Sequence, residues 1–301
     1  MDFDQLVQNG KVKRIFRAKR KIIAPDIVSH ITQRSAGKDP LFLEDDDYLS
    51  MLSLLKEISV KYNLEVYSFC LMPTHIHLLV SPKEKKLNEL MRDLFSRYAM
   101  RFNKKYMRKG HLFAGPYRQA VCLDDTYLLA ASLYIHMNPV RAGLVQSPEN
   151  FRWSSFGVFH SLNEIPSFLK PDFILNLLGG NKNKNREIYR ELIARSVKVK
   201  VDDAMENVDA VARFRKNLSN IFPALFLKVN TRKKIHEKMG LSLIAEEEIE
   251  KLIDENLIPN SRNGKRFLVQ QLIARGYKRN EIAEKLNLSV KTIYNILHSK
   301  E

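Results

Sequence analysis

Two β-type runs, Glu65 to Met72 and His75 to Ser81, are separated only by Pro73-Thr74. A gap that short leaves them one way to pair, as an antiparallel hairpin. The second run opens His75-Ile76-His77. Side chains at i and i+2 of a strand point to one face, so both imidazoles can converge on a single metal ion. In isolation, two such histidines are more often surface or core residues than ligands, and the rest of the chain has to decide.

The segments around the hairpin build a sheet. Ile27-Val28-Ser29-His30-Ile31-Thr32 is β-branched and alternating, a first strand in which His30 is either a further ligand or a structural histidine. Asp45-Asp46-Asp47 opens a helix at its positive dipole end, with Leu49, Leu52, Leu55 and Ile58 as its apolar face up to Tyr62. From Lys86 to about Met107, Leu87, Leu90, Met91, Leu94, Phe95, Tyr98 and Phe102 recur at helical spacing. Gly110 and Gly115-Pro116 break that pattern, Tyr117 to Leu123 reads as a fourth strand, and Asp124-Asp125 opens a helix containing Tyr134. The order β-α-β-β-α-β followed by α predicts an α+β fold, a ferredoxin-like βαββαβ antiparallel sheet with an added tyrosine-bearing helix.

Charge points to the partner. The chain of 301 residues has 50 basic and 34 acidic residues, net +16, and 45% hydrophobic content is enough for real cores. Lys83 to Ala120 alone has 11 basic and 3 acidic residues, net +8, and residues 11–21 (KVKRIFRAKRK) hold seven basic and no acidic ones. Nucleic acid is the expected partner, with Arg97, Arg101, Lys104, Lys105, Arg118 and Arg141 as candidate DNA contacts. Two cysteines, Cys70 and Cys122, are too few for a disulfide framework, and no N-terminal apolar run precedes a cleavage site. With no window near the ~18 apolar residues of a membrane span, a cytoplasmic protein that does not enter a membrane is expected.

Phosphodiester cleavage by tyrosine requires a phenol that can attack, a Lewis acid on the non-bridging oxygen and cations that hold the strand. Tyr134 and Asn138 are i and i+4 on one helical face, so Asn138 can complete a metal shell with His75 and His77 while Tyr134 addresses the phosphate. His136 projects from another side of that helix. Two imidazoles, an amide oxygen, water and phosphate suit Mg²⁺ or Mn²⁺ at least as well as Zn²⁺.

Several ordered blocks share one resemblance: LMPTHIHLLV (71–80), SRYAMRFNKKY (96–106), GHLFAGPYR (110–118), YIHMNPVRAGLV (134–145) and WSS (153–155). Across residues 12–160 the chain resembles the single-tyrosine HUH transposases of the IS200-like group, especially the REP-associated tyrosine transposases. The resemblance implies His75, His77 and Asn138 as metal ligands and Tyr134 as the nucleophile on single-stranded, stem-loop DNA. It further implies a 5′-phosphotyrosine intermediate and a free 3′-OH that rejoins strands without nucleotide hydrolysis. The MPNH block common in that family reads MPTH here, with Thr74 in place of Asn, which leaves the ligands intact and bears on the hairpin.

The core family does not account for the chain beyond about 165. The reading is residues 1–165 as the HUH tyrosine transposase domain, 166–260 as a helical connecting region and 261–301 as a helix-turn-helix-like DNA-binding segment. Gly179-Gly180-Asn181-Lys182-Asn183-Lys184-Asn185 reads as a flexible polar linker. At the end, Phe267–Ala274 capped by Gly276, Glu281–Leu286, and Val290–Leu297 behind the N-cap Ser289 follow the helix-turn-helix pattern. Lys291, Thr292, Tyr294 and Asn295 are then the side chains placed to touch duplex DNA. Both a monomer and a homodimer accommodate such a site. The alternative reading is a domesticated, non-catalytic regulator that recognises hairpin or promoter DNA, and the joint presence of His75, His77, Tyr134 and Asn138 counts against it.

Overall fold

The computed structural model describes residues 21, 25–37, 39–122, 124–161, 167–197, 210–230, 249, 253, 259, 261–275 and 277–298. The basic stretch before Lys21 and the Gly276 cap lie outside the described residues. The chain is mixed α/β. Strand β1 (Ser29–Arg34) is followed by α1 (Asp45–Lys61), β2 (Leu64–Met72), β3 (His75–Pro82), α2 (Leu87–Lys105), β4 (Arg118–Val121) and α3 (Asp125–Arg141). The four strands form one antiparallel sheet in the order β2-β3-β1-β4. The first strand starts two residues later than its alternation indicated, and the fourth is shorter at both ends.

The Pro73-Thr74 hairpin forms as expected, with Met72 opposite His75 and Cys70 opposite His77. Alternation then divides the sheet. Ile31, Ile76, Leu78 and Val80 pack beneath α1 and α2, in one core with Leu54, Ile58, Leu94 and Tyr98. His75, His77 and Leu79 occupy the other face, toward α3.

Helix α2 buries all seven apolar residues read from its spacing. Helix α1 departs from expectation: it buries Asp47, Met51, Leu54, Leu55 and Ile58, while Leu49 is half exposed. The stripe is rotated because it begins at Asp47, whose carboxylate turns inward to accept hydrogen bonds from Lys105, the last residue of α2, and from Tyr106 just beyond it. Asn63, at φ +48°, ends α1 in a left-handed turn that leads into β2.

Beyond α3 come α4 (Phe156–His160), α5 (Pro171–Leu175), α6 (Lys182–Ser196), α7 (Ala210–Ile221) and α8 (Pro223–Asn230). Residues 182–185, expected to be linker, are the first turn of α6. Asn181 caps that helix by accepting from the Lys184 N–H, and Asn185 is buried with its amide bonded to both backbone groups of Gly180. A Cβ at Gly180 would stand 2.9 Å from Asn185 Oδ1, which explains the glycine. Tyr189, Leu192, Phe214 and Leu218 share a single core with Tyr134 and Leu133 of α3.

The last three helices, α9 (Arg262–Ala274), α10 (Arg279–Lys285) and α11 (Val290–His298), enclose a separate core that includes Ile27 and Val121, so this unit is seated on the β4 edge of the sheet. Among the described residues, no helix is long and apolar enough to cross a membrane.

Candidate active site

Asp124 starts the helix on which the site depends, its Oδ1 accepting the Tyr127 N–H at 2.7 Å as an N-cap. Three turns on, Tyr134 and Asn138 project from α3 at i and i+4. The ring of Tyr134 lies 6.0 Å from the His77 ring and 6.3 Å from the His30 ring, centroid to centroid. His75 and His77 are 4.9 Å apart on the strand. The structure therefore brings both histidines of β3 to the face of the sheet that α3 covers, with the tyrosine against His77.

The polar atoms here are arranged unequally. Asn138 donates Nδ2 to the carbonyl oxygen of Tyr134 at 2.9 Å, and its Oδ1 is buried with no hydrogen-bond partner. His77 holds its Nδ1 2.9 Å from His30 Nε2 and 3.3 Å from Thr32 Oγ1, while its Nε2 is buried with no hydrogen-bond partner. A buried acceptor left unsatisfied is costly unless something absent completes it. One imidazole nitrogen and one amide oxygen in that condition fit the donor set of a divalent cation. Among the described residues no group of three or more His, Cys, Asp or Glu side chains is placed to hold a metal.

Burial keeps the imidazoles neutral. It lowers His75 to about 4, helped by the nearby Arg34 guanidinium, and it lowers His30 to about 4 as well. His77 is pushed well below the ordinary histidine value by burial, and then by His75, His30 and Arg34. Neutral rings keep lone pairs that a cation can accept.

Three cations border this face. Arg141, at the end of α3, lies with its Cζ 5.4 Å from the Tyr134 ring centroid and 4.4 Å from that of Phe214 on α7. Its Nη1 and Nη2 are buried without hydrogen-bond partners, and burial lowers its basicity, partly offset by Tyr134. Arg118, opposite Thr32 in the β1–β4 register, is on the same face, where Glu281 of α10 accepts its Nη2 at 2.7 Å. Arg34, opposite His75, was not singled out from the sequence. The period-2 series His30, Thr32, Arg34 would have found it.

Helix α7 covers the tyrosine. Phe214 packs edge-on at 6.0 Å from the Tyr134 ring and is itself fully buried, and Tyr134 is 1% exposed. Nothing in the local sequence announced this cover, which comes from eighty residues downstream.

Other expected contacts are placed elsewhere. Arg97, Arg101, Lys104 and Lys105 are on α2, across the sheet from Tyr134. Arg97 makes a two-pronged pair with Glu57 at 2.6 and 2.7 Å, and Lys105 pairs with Asp47 and Glu44. His136 serves the core, with Nδ1 2.8 Å from the Tyr189 hydroxyl and Nε2 2.7 Å from Ser155 Oγ. On α11, Lys291, Tyr294 and Asn295 are exposed, whereas the hydroxyl of Thr292 lies 2.8 Å from that of the N-cap Ser289.

An antiparallel sheet that presents paired histidines to a tyrosine-bearing helix is the arrangement that the sequence resemblance implies. Residues 24–138 match the family described as "Transposase IS200 like". The chain also resembles the REP-associated tyrosine transposases. A Haemophilus influenzae protein described as one of these is 28% identical over 123 residues, covering 36% of this chain and 69% of that protein. A solved structure of a REP-associated tyrosine transposase bound to a REP hairpin covers 49% of this chain and 87% of its own, at 13% identity and a TM-score of 0.43.

Proposed function

We propose that the chain cleaves and rejoins single-stranded, hairpin-containing DNA with Tyr134 as nucleophile, on a ferredoxin-like HUH core. The observation that carries this reading is Tyr134 packed against His77 on one face of the sheet, with a buried, unsatisfied oxygen at Asn138 one turn further along the same helix. His75, His77 and Asn138 would hold Mg²⁺ or Mn²⁺, which when bound supplies Lewis-acid stabilisation of charge on the scissile phosphate. The protein's own residues do the rest. Attack by Tyr134 Oη forms an O–P bond and breaks the bond from phosphorus to the 3′-oxygen. The phenolic proton is balanced by the proton taken up by the departing 3′-OH. The product is a 5′-phosphotyrosine, and attack by a 3′-OH reverses the step and releases the enzyme.

Arg141 supports this reading, because its two unpartnered terminal nitrogens beside Tyr134 are suited to a phosphate. Arg118 is suited to the same strand once Glu281 is displaced. The exposed Lys291, Tyr294 and Asn295, on the second helix of what we read as a helix-turn-helix, would address duplex DNA.

The burial of Tyr134 under α7 favours a second reading, a non-catalytic regulator that binds hairpin or promoter DNA. Cleavage separates the two. A labelled hairpin oligonucleotide incubated with Mn²⁺ should yield a covalent adduct that survives a denaturing gel and disappears in Tyr134→Phe and in EDTA. Binding without any adduct supports the regulator, and an adduct that persists in Tyr134→Phe rejects the nucleophile.

A further inference from the structure

His30 is buried on β1, in the strand register that sets Thr32 opposite His77, and its Nε2 lies 2.9 Å from His77 Nδ1. The two rings stack with centroids 5.0 Å apart and planes 29° from parallel, so His30 restrains both the position and the tilt of the His77 ring. An imidazole offers a lone pair from one nitrogen only when its proton sits on the other. His77 Nε2 is the buried nitrogen without a hydrogen-bond partner, so it is the one left free for a further ligand.

We propose that His30 is a positioning residue: its Nε2 accepts the Nδ1–H of His77 and thereby fixes the tautomer that leaves His77 Nε2 open to a divalent cation. The inference rests on the proposed metal-dependent reading of this site. It assigns to His30 a role distinct from ligation. Thr32 Oγ1, 3.3 Å from the same Nδ1, is the weaker of the two partners. Protein groups that orient a metal-binding histidine typically change metal affinity about 10–100-fold when removed.

The test uses the full chain. In nitrogen-15 histidine NMR of the metal-free protein, His77 should appear as the Nδ1–H tautomer in the wild type and shift toward Nε2–H in His30→Phe. Mn²⁺ titrated against the same proteins should bind about 10–100-fold more weakly to His30→Phe. His30→Gln, whose side-chain oxygen can accept the same proton, should restore both. Circular dichroism shows whether each variant is folded, and His30→Leu, which likewise cannot accept the proton, carries the test with the same expected losses if His30→Phe is not. The inference is overturned by an unchanged His77 tautomer in folded His30→Phe, or by unchanged Mn²⁺ affinity. A wild type that binds no Mn²⁺ instead overturns the metal reading, while the tautomer measurement still decides the role of His30.

Discussion

Asn138 donates to the carbonyl oxygen of Tyr134, one turn earlier on the same helix, and keeps its own Oδ1 buried with no hydrogen-bond partner. Asn138→Leu removes that oxygen together with one hydrogen bond of about 1 kcal/mol, but it also removes a buried unsatisfied acceptor. Thermal stability should stay near that of the wild type while Mn²⁺ affinity falls at least about 10–100-fold. Calorimetric titration beside a melting curve checks both, and wild-type Mn²⁺ affinity would remove Asn138 from the ligand set.

Arg141 should show the opposite separation between free and bound protein. Its guanidinium is buried with both terminal nitrogens unpartnered, so Arg141→Met should leave the melting temperature of the free protein unchanged or higher. Hairpin affinity should drop, and the slope of log K against log salt should shrink by about one unit if the side chain meets one phosphate. Fluorescence anisotropy over a salt series measures this.

The Arg118–Glu281 pair, with side chains 22% and 33% exposed, contributes no more than about 1 kcal/mol to stability. Its larger effect is to neutralise a cation on the Tyr134 face. Glu281→Gln should therefore tighten hairpin binding and steepen its salt dependence with little change in melting temperature. Unchanged affinity would mean that Arg118 does not reach the DNA.

Asp47 predicts the acid limb of stability. Burial pushes its carboxyl up, but hydrogen bonds from the Leu43 N–H, Lys105, Tyr106 and the Glu44 N–H outweigh burial and hold it below the usual carboxylate range. A carboxyl lowered in the folded state contributes fully above its unfolded value of about 3.9, and that contribution is lost as pH falls through the lower folded value. Asp47→Asn should cost about 1–3 kcal/mol in urea unfolding at pH 7, and the gap to the wild type should close at strongly acidic pH.

The hairpin and its histidines were legible because a two-residue gap and a period of two leave little freedom. So was α2, whose seven apolar residues are all buried. The α1 stripe was misjudged because its first buried member is a carboxylate, which counting apolar residues passes over. The residues before α6 were misread for a related reason: their asparagines are polar yet committed, one to a cap and one to Gly180. Sequence spacing placed Tyr134 and Asn138 on one face of one helix. It gave no sign that the basic face of α2 lies across the sheet, or that His30 holds His77, since both follow from strand register.

The Phe214 cover over Tyr134 bears on when chemistry can happen. A phosphodiester cannot reach a side chain that is 1% exposed, so under the proposed mechanism attack would have to wait for α7 to leave the face of α3. The observed rate is then the intrinsic rate multiplied by the fraction of molecules open at any moment. On that mechanism a stray single strand that meets only the charged exterior would depart uncut. Commitment falls to a substrate whose grip also displaces Phe214, so selectivity enters as the order of events as well as the sequence of bases.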